Sequence, residues 1–162
     1  MTETAPILVL ISELEKSRTV LARIDAFYQD YLRQTSGTEA RRTEQAIVIA
    51  DLLSSFYTCL ETLFLRISRF FENSLAADRW HQDLLEKMTL SIPQVREPLI
   101  SDETAALLGE LLKFKHFKRY YFEFSYDWDR LEFVQKKYAQ LQPLLCRDLD
   151  RFRQFLSKLA QG

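Results

Sequence analysis

Apolar positions in the first part of the chain recur at helical spacing. From Pro6 to about Gln34 they fall mostly three, four or seven residues apart, which places them on one face of an α-helix. These positions are Ile7, Leu10, Leu14, Leu21, Ile24, Tyr28 and Tyr31. Gly37 follows as a natural stop, since glycine is favoured just beyond a helix end. We therefore predict a first helix from Pro6 to about Gln34.

A second helix, predicted from about Thr38 to Asn73, carries two neighbouring apolar stripes. One stripe is Ile49, Leu52, Phe56, Cys59, Leu63, Ile67 and Phe70, and the other is Leu53, Tyr57, Leu60, Phe64 and Phe71. A helix that is apolar over so wide an arc is buried on more than one side. We expect either a central position in a bundle or a subunit interface, and we predict a homodimer formed through this region.

A short third helix is predicted from Asp78 to Met88, with Asp78 as its candidate N-cap. Pro93 and Pro98 then interrupt the pattern, because proline cannot continue a helix. The segment between the third and fourth helices is therefore expected to be irregular.

Two more helices complete the pattern. Ser101 is expected to cap a fourth helix that continues to about Tyr121, and Asp127 begins a fifth helix with Pro143 inside its apolar stripe. Amphipathic helices of this kind bury their apolar faces against one another. The predicted fold class is all-α, an antiparallel bundle of four long helices plus one short helix.

Composition narrows the classes of protein further. The chain has 162 residues, with three glycines and four prolines. So few turn-forming residues argue against a β-sandwich or barrel, and the glycines are too scattered for a phosphate-binding loop. We interpret residues 1–162 as a single domain whose ends, 1–5 and 160–162, are frayed.

Charge, cysteine content and targeting signals exclude several functions. The net charge of −1 gives no overall attraction to nucleic acid or to anionic membranes. With two cysteines and two histidines, we expect neither a disulfide framework nor a zinc site, and no cofactor. The N-terminus lacks a basic region, and the apolar run from Ile7 to Ile11 is too short to span a bilayer. We expect a cytoplasmic protein without a membrane partner.

The most unusual segment is a basic cluster with interleaved aromatic residues. Five of the seven residues from Lys113 to Arg119 are Lys, Arg or His. Like charges four positions apart disfavour an isolated helix by a few tenths of a kcal/mol, which suggests that an anion offsets them. A phosphate backbone with bases stacked on the aromatic rings fits this pattern, and so does a solvated basic face whose aromatics belong to the core. The candidate nucleic-acid-binding residues are Lys113, Lys115, Lys118 and Arg119.

Other chemistry-bearing residues have simpler interpretations. His116 is the histidine of the cluster and a candidate for proton transfer near neutral pH. His81 is interpreted as a packing or surface residue, and Asp127 and Asp129 as caps of the last helix. Glu61 is a lone acid among apolar neighbours that could pair with a residue of the basic cluster.

Three blocks of sequence resemble the HepT-like branch of the HEPN superfamily. They are LLKFKHFKRYYF at 111–122 with DWDRL at 127–131, FYTCLETLF at 56–64, and WHQDLLEKM at 80–88. The resemblance covers about residues 10 to 160, with the blocks in the family's order and spacing. It implies an all-α dimer with a cleft at the dimer interface. Active members are metal-independent ribonuclease toxins, and their partner is a nucleotidyltransferase antitoxin.

The family motif is an arginine followed after four residues by a histidine, often with one further residue and a tyrosine. The resemblance places the motif arginine at Lys115, the histidine at Tyr120 and the tyrosine that the antitoxin nucleotidylates at Phe122. Lysine lacks the bidentate phosphate geometry of arginine, tyrosine is a poor base at neutral pH because it titrates near pH 10, and phenylalanine has no hydroxyl to modify. His116 and Arg119 correspond to a second basic pair in the family.

The resemblance therefore implies a HepT-like protein of a toxin–antitoxin type system that binds RNA, with ribonuclease activity reduced or lost. Its candidate catalytic residues are Lys115, His116, Arg119 and Tyr120. Two alternatives remain open: an active metal-independent ribonuclease toxin that uses His116, and a non-catalytic dimeric module that binds a partner protein.

Overall fold

The computed structural model is a bundle of five helices. It describes residues 4–37, 41–72, 80–118 and 127–162. The helices are α1 (Thr4–Thr35), α2 (Thr43–Phe71), α3 (Trp80–Lys87), α4 (Asp102–Lys118) and α5 (Trp128–Gln161). No strand is formed by the described residues beyond one isolated bridge between Ile92 and Arg96. The predicted all-α class, with four long helices and one short helix, is confirmed.

Contacts between α1 and α5 show that these helices are antiparallel. Arg153 donates a hydrogen bond to Glu15, whereas Tyr138 donates one to Asp25. A position later in α1 thus meets a position earlier in α5. The same order holds between α1 and α2, where the Cys59 thiol reaches the Ser17 carbonyl oxygen and Arg66 lies 3.9 Å from Glu13.

The central helix of the bundle is α2, which packs against each of the other four helices. Most members of both apolar stripes are buried within the same chain, although Phe70 is 37% exposed. The buried members are Ile49, Leu53, Phe56, Tyr57, Leu60, Leu63, Phe64 and Ile67. The wide apolar arc is therefore explained by a central position, the first of the two expected alternatives, and the homodimer stays a prediction.

By length and composition, α2 is also apolar enough to cross a membrane. Within the protein, 56% of its most apolar 18-residue window is buried. The core helix of a soluble bundle meets the same test, so this composition is weak evidence for a span.

The helix ends differ from the predictions at a few positions. We predicted that α2 begins at Thr38, but it begins at Thr43. Arg41 has a φ of 71°, in the left-handed region that an α-helix excludes. Residues 38–40, like Asp78, lie outside the described residues. At the two ends of the chain, where we expected fraying, α1 already begins at Thr4 and α5 continues to Gln161.

Two predicted caps are confirmed. The Ser101 hydroxyl accepts a hydrogen bond from the Thr104 main-chain N–H at 3.2 Å. The Asp127 carboxylate accepts one from the Arg130 N–H at 3.1 Å. Asp127 thus satisfies an otherwise unpaired donor at the start of α5, as predicted, and fixes where that helix begins.

A buried carboxylate of α5 holds the start of α4. Asp148 is fully buried and accepts hydrogen bonds from the Ser101 N–H at 2.9 Å and from the Thr104 hydroxyl at 2.6 Å. Burial alone would raise the pKa of Asp148, but these hydrogen bonds, with that of Arg147 and the charge of Arg151, outweigh burial and lower it. This network fixes the position of α4 along α5, and with it the basic segment at the other end of α4.

A second buried ion pair fixes the segment that joins α3 to α4. The guanidinium of Arg96 is fully buried and binds the carboxylate of Glu72, just beyond α2. It also donates to the main-chain oxygens of Lys87 at 2.8 Å and Leu90 at 3.0 Å. The end of α3 is thereby tied to the end of α2.

Candidate nucleic-acid interface

The basic cluster lies on the last two turns of α4. Lys113, Lys115, His116 and Lys118 are all on this helix. Arg119, Tyr120 and Phe122, which the resemblance assigns to catalysis, binding or modification, lie outside the described residues. The arrangement of the site therefore rests on the four described basic residues and on what α2 and α3 place beside them.

Glu61 of α2 lies at the centre of the site. Its side chain is 6% exposed, and its Oε1 atom lies 3.2 Å from Nζ of Lys115. Its Oε2 atom lies 2.5 Å from Nδ1 of His81. The pairing of Glu61 with the basic cluster is thus confirmed. A buried carboxylate requires such partners, because burying an unpaired charge is costly.

His81 belongs to this site, and the sequence interpretation of it as a packing or surface residue missed that role. Its ring lies edge-on to the ring of His116, with centroids 5.3 Å apart and an interplanar angle of 76°. Both histidines of the chain therefore meet here. The signal that pointed to this contact was Glu61, an isolated acid that needs polar partners from neighbouring helices.

Tyr57 forms the floor beneath Lys115. The Lys115 ammonium lies 5.6 Å from the centroid of the Tyr57 ring, so it is held between an aromatic face and the Glu61 carboxylate. The Tyr57 hydroxyl is buried and has no hydrogen-bond partner within the described part of the chain. Burial, together with the negative charge of Glu61, raises the pKa of Tyr57 well above its ordinary value.

The other two lysines of the cluster also face carboxylates, but closer to solvent. Lys113 lies 3.4 Å from Glu110 and is 69% exposed, and Lys118 lies 2.9 Å from Asp51, which is 68% exposed. Exposed ion pairs contribute little, about 0 to 1 kcal/mol. An external phosphate can therefore replace the carboxylate at these two lysines more easily than at Lys115.

Comparison with known proteins decides the family. A sequence model of HepT-like proteins matches residues 48–156, which is more than half of the chain. The chain belongs to the HepT-like family. No curated protein and no solved structure gives a significant match. The family match covers every described residue of the site above, from Asp51 and Glu61 on α2 to Lys118 on α4.

The chemistry available at this site of the HepT-like protein follows from its groups. Lysine ammonium groups and imidazolium rings bind phosphate oxygens, and imidazole also transfers protons near neutral pH. Within the described residues, no group of three or more His, Cys, Asp or Glu side chains is placed to hold a metal ion. The site suits anion binding, with the Glu61 carboxylate setting the position of Lys115 and His81.

Proposed function

We propose that this HepT-like protein binds RNA within a toxin–antitoxin type system, and that its ribonuclease activity is reduced or lost. The observation that supports the reduced activity is the pair formed by Lys115 and Glu61. Lys115 stands where the resemblance places the motif arginine, and its ammonium is held by a carboxylate that is only 6% exposed.

A phosphate that binds Lys115 must displace the Glu61 carboxylate from it. An arginine presents two parallel N–H donors to a phosphate, whereas a lysine presents a single charge. For Lys115 to bind a phosphodiester fully, Glu61 would lose one of its two partners while buried, and losing a charged hydrogen bond to a buried group costs about 1–3 kcal/mol. Stabilisation of the transition-state charge at this position is therefore weak.

RNA binding draws on the more exposed residues of the same surface. Lys113 and Lys118 exchange their weakly bound carboxylates for phosphate at little cost. Each phosphate that they neutralise releases a counterion, so the affinity must fall as the salt concentration rises.

The test measures binding and cleavage together. Binding of a fluorescein-labelled single-stranded oligoribonucleotide is measured by anisotropy at several salt concentrations, for the wild type and for Lys118→Ala. The matched control is Lys158→Ala, an exposed lysine in the last turn of α5. We expect salt-sensitive binding that Lys118→Ala weakens and the control does not. Cleavage without metal should be slow compared with that of a family member whose motif is intact. Binding that is absent or insensitive to salt would contradict the proposed RNA binding. Rapid cleavage would contradict the proposed loss of ribonuclease activity.

One observation favours the second candidate, an active ribonuclease toxin that uses His116. The His116 ring contacts His81, which is itself held by the Glu61 carboxylate, and a row of this kind suits proton transfer. In this case the wild type cleaves single-stranded RNA without metal and His116→Ala abolishes the cleavage, whereas Lys158→Ala does not. Cleavage that survives His116→Ala would remove this candidate.

The partners implied by the family are part of the proposal. A nucleotidyltransferase antitoxin should bind the protein, but it cannot modify position 122, because Phe122 has no hydroxyl. Co-expression with such an enzyme, followed by mass measurement of the intact protein, should show a complex without an added nucleotide on the peptide that contains Phe122. An adduct on that peptide would contradict the assignment of this position.

A homodimer with a composite cleft is the proposed form in solution. Sedimentation velocity at micromolar concentration should give twice the mass of the 19.2 kDa chain. A monomer under these conditions would remove the composite cleft and leave the surface of a single protomer as the binding site.

A further inference from the structure

A second basic surface lies at the start of α5, beside the end of α4. The Arg130 guanidinium lies 3.8 Å from the centroid of the Phe117 ring, and Nζ of Lys137 lies 5.1 Å from the centroid of the Phe133 ring. Arg130, Phe133 and Lys137 are spaced three and four residues apart, so they share one face of α5. We refer to these three residues and Phe117 as the α5 strip.

The charges of the α5 strip differ from those of the α4 lysines. Each described lysine of the basic cluster faces a carboxylate. Among the described residues, by contrast, Arg130 and Lys137 face aromatic rings and form no ion pair. The acids nearest in sequence, Asp129 and Glu132, are held by Arg41 at 3.9 and 3.1 Å. No carboxylate of the described residues therefore competes with an external anion for the positive charge of the α5 strip.

An exposed ring accompanies these charges. Phe133 is 45% exposed although it is fully apolar. A ring that stays in water beside cations is the combination with which proteins bind single-stranded nucleic acid, because every base offers a flat face to stack on and every linkage a phosphate. A purely acidic protein segment would use the charges but gain nothing from the face of the ring.

We propose that single-stranded RNA lies along the α5 strip, with an unpaired base stacked on Phe133 and backbone phosphates on Arg130 and Lys137. This inference rests on the proposed RNA binding and adds a second surface to the α4 lysines. The α5 strip adjoins the end of α4 that carries Lys118, since Phe117 of α4 contacts Arg130 directly.

The stacking contact is tested by Phe133→Ala, a surface change that leaves the core intact. The matched control is Phe70→Ala, because Phe70 is 37% exposed at the other end of the bundle, next to Phe71. Two probes are used: a fluorescein-labelled single-stranded oligoribonucleotide, and inorganic polyphosphate, which has the charge but no bases. We expect Phe133→Ala to weaken RNA binding by about 5- to 150-fold, the range for loss of one stacked base. Polyphosphate binding should be unchanged, and Phe70→Ala should affect neither probe.

The charge contacts are tested by Lys137→Gln, with Lys158→Gln as the control on the same helix. Lys137→Gln should weaken the binding of both probes and reduce the slope of log affinity against log salt by about one. Arg130→Lys keeps the charge but loses the planar group, so it should weaken RNA binding while the salt slope stays the same.

A photocrosslink locates the RNA directly. An oligoribonucleotide that carries bromouridine is irradiated with the wild-type protein, and the mixture is digested with trypsin, which cleaves after Arg130. The adduct is expected on the peptide that begins at Leu131 and contains Phe133.

The outcomes separate the two proposals. If the wild type does not bind single-stranded RNA at any salt concentration, the proposed function fails and this inference fails with it. If the wild type binds RNA but Phe133→Ala behaves like Phe70→Ala and the adduct lies elsewhere, only the α5 strip is overturned. Polyglutamate, added as a third probe, represents an acidic protein segment. If it binds as tightly as RNA and Phe133→Ala does not weaken it, the surface is assigned to such a segment and the inference is likewise overturned.

Discussion

The Glu61 carboxylate and the His81 imidazole are joined across 20 positions of sequence by a contact of 2.5 Å between Oε2 and Nδ1. The contact links the central helix α2 to α3, which has only eight residues. A helix this short is not stable by itself. Its position depends on this contact, on the buried side chains of Leu84, Leu85 and Met88, and on the Arg96 pair at its end.

Replacing Glu61 tests whether its carboxylate masks positive charge. In Glu61→Gln the local charge rises by one, so Lys115 and His81 become available to phosphate. We expect tighter RNA binding, with a salt slope that is steeper by about one. The free energy of unfolding should fall by about 1–3 kcal/mol because charged hydrogen bonds are lost. Anisotropy titrations and urea unfolding measure the two effects.

Glu110→Gln is the control for this change. It alters the net charge equally, but Glu110 faces an exposed lysine, so the free energy of unfolding should stay within about 0.5 kcal/mol of the wild type. Equal stability of the two variants would show that the buried position of Glu61 has no energetic consequence.

Much of the fold could be predicted because a helix is indicated by residues close together in the sequence. The spacing of apolar residues indicated all five helices, and Ser101 and Asp127 marked two helix starts through their capping side chains. The start of α2 was predicted too early, since Arg41 adopts a left-handed conformation that no residue type in the pattern indicates.

Less of the site could be predicted from the sequence, because the site is formed by contacts between side chains of different helices. The basic cluster was recognised from adjacent residues, and Glu61 was recognised as an acid in need of a partner. His81, by contrast, joins the site only through the packing of α3 on α2. The cations of α5 were not singled out from the sequence, since sequence does not show that Arg130 lies on the ring of Phe117 in another helix.

Removing the buried hydroxyl of Tyr57 should stabilise the protein. Within the described residues this hydroxyl has no hydrogen-bond partner, and an unsatisfied buried polar group costs about 1–3 kcal/mol. Tyr57→Phe keeps the ring under Lys115 and removes the hydroxyl. It should raise the free energy of unfolding by about 1 kcal/mol in urea titrations.

The contrasting variant is Tyr138→Phe. The Tyr138 hydroxyl donates a hydrogen bond of 2.7 Å to Asp25, so its removal should lower the free energy of unfolding by about 1–2 kcal/mol. If Tyr57→Phe lowered the free energy of unfolding as Tyr138→Phe does, the Tyr57 hydroxyl would have a hydrogen-bond partner, contrary to the structure.

Arg96→Lys tests the buried pair that ties α3 to α2. The guanidinium bridges Glu72 and three main-chain oxygens, and a lysine ammonium cannot reach all of them in that fork geometry. We expect a loss of about 2–4 kcal/mol in the free energy of unfolding. Arg151→Lys is the control, because Arg151 is 43% exposed and pairs with Asp148 at 3.5 Å. A loss at Arg96 no larger than at Arg151 would contradict the role of this pair.

Asp148 should make the stability of the bundle depend on pH at acidic values. Its pKa is lowered in the folded protein, despite burial, by hydrogen bonds from Ser101, Thr104 and Arg147 and by the charge of Arg151. The unfolded chain therefore binds a proton at a higher pH than the native protein. Ionised Asp148 therefore makes its full contribution to the free energy of unfolding from about pH 5 upward. This contribution is lost as the pH falls below about 4.

The measurement compares the wild type with Asp148→Asn by urea unfolding at several pH values between neutral and acid. At neutral pH the variant should be less stable by about 2–3 kcal/mol, since charged hydrogen bonds to buried groups are lost. This difference should shrink as the medium becomes acidic, because the wild-type carboxylate then takes up a proton. Asp129→Asn, at a carboxylate that is 89% exposed, should show neither the loss nor its pH dependence. If the difference in free energy of unfolding between the wild type and Asp148→Asn stayed constant down to strong acid, packing and not the charge of Asp148 would hold the start of α4 against α5.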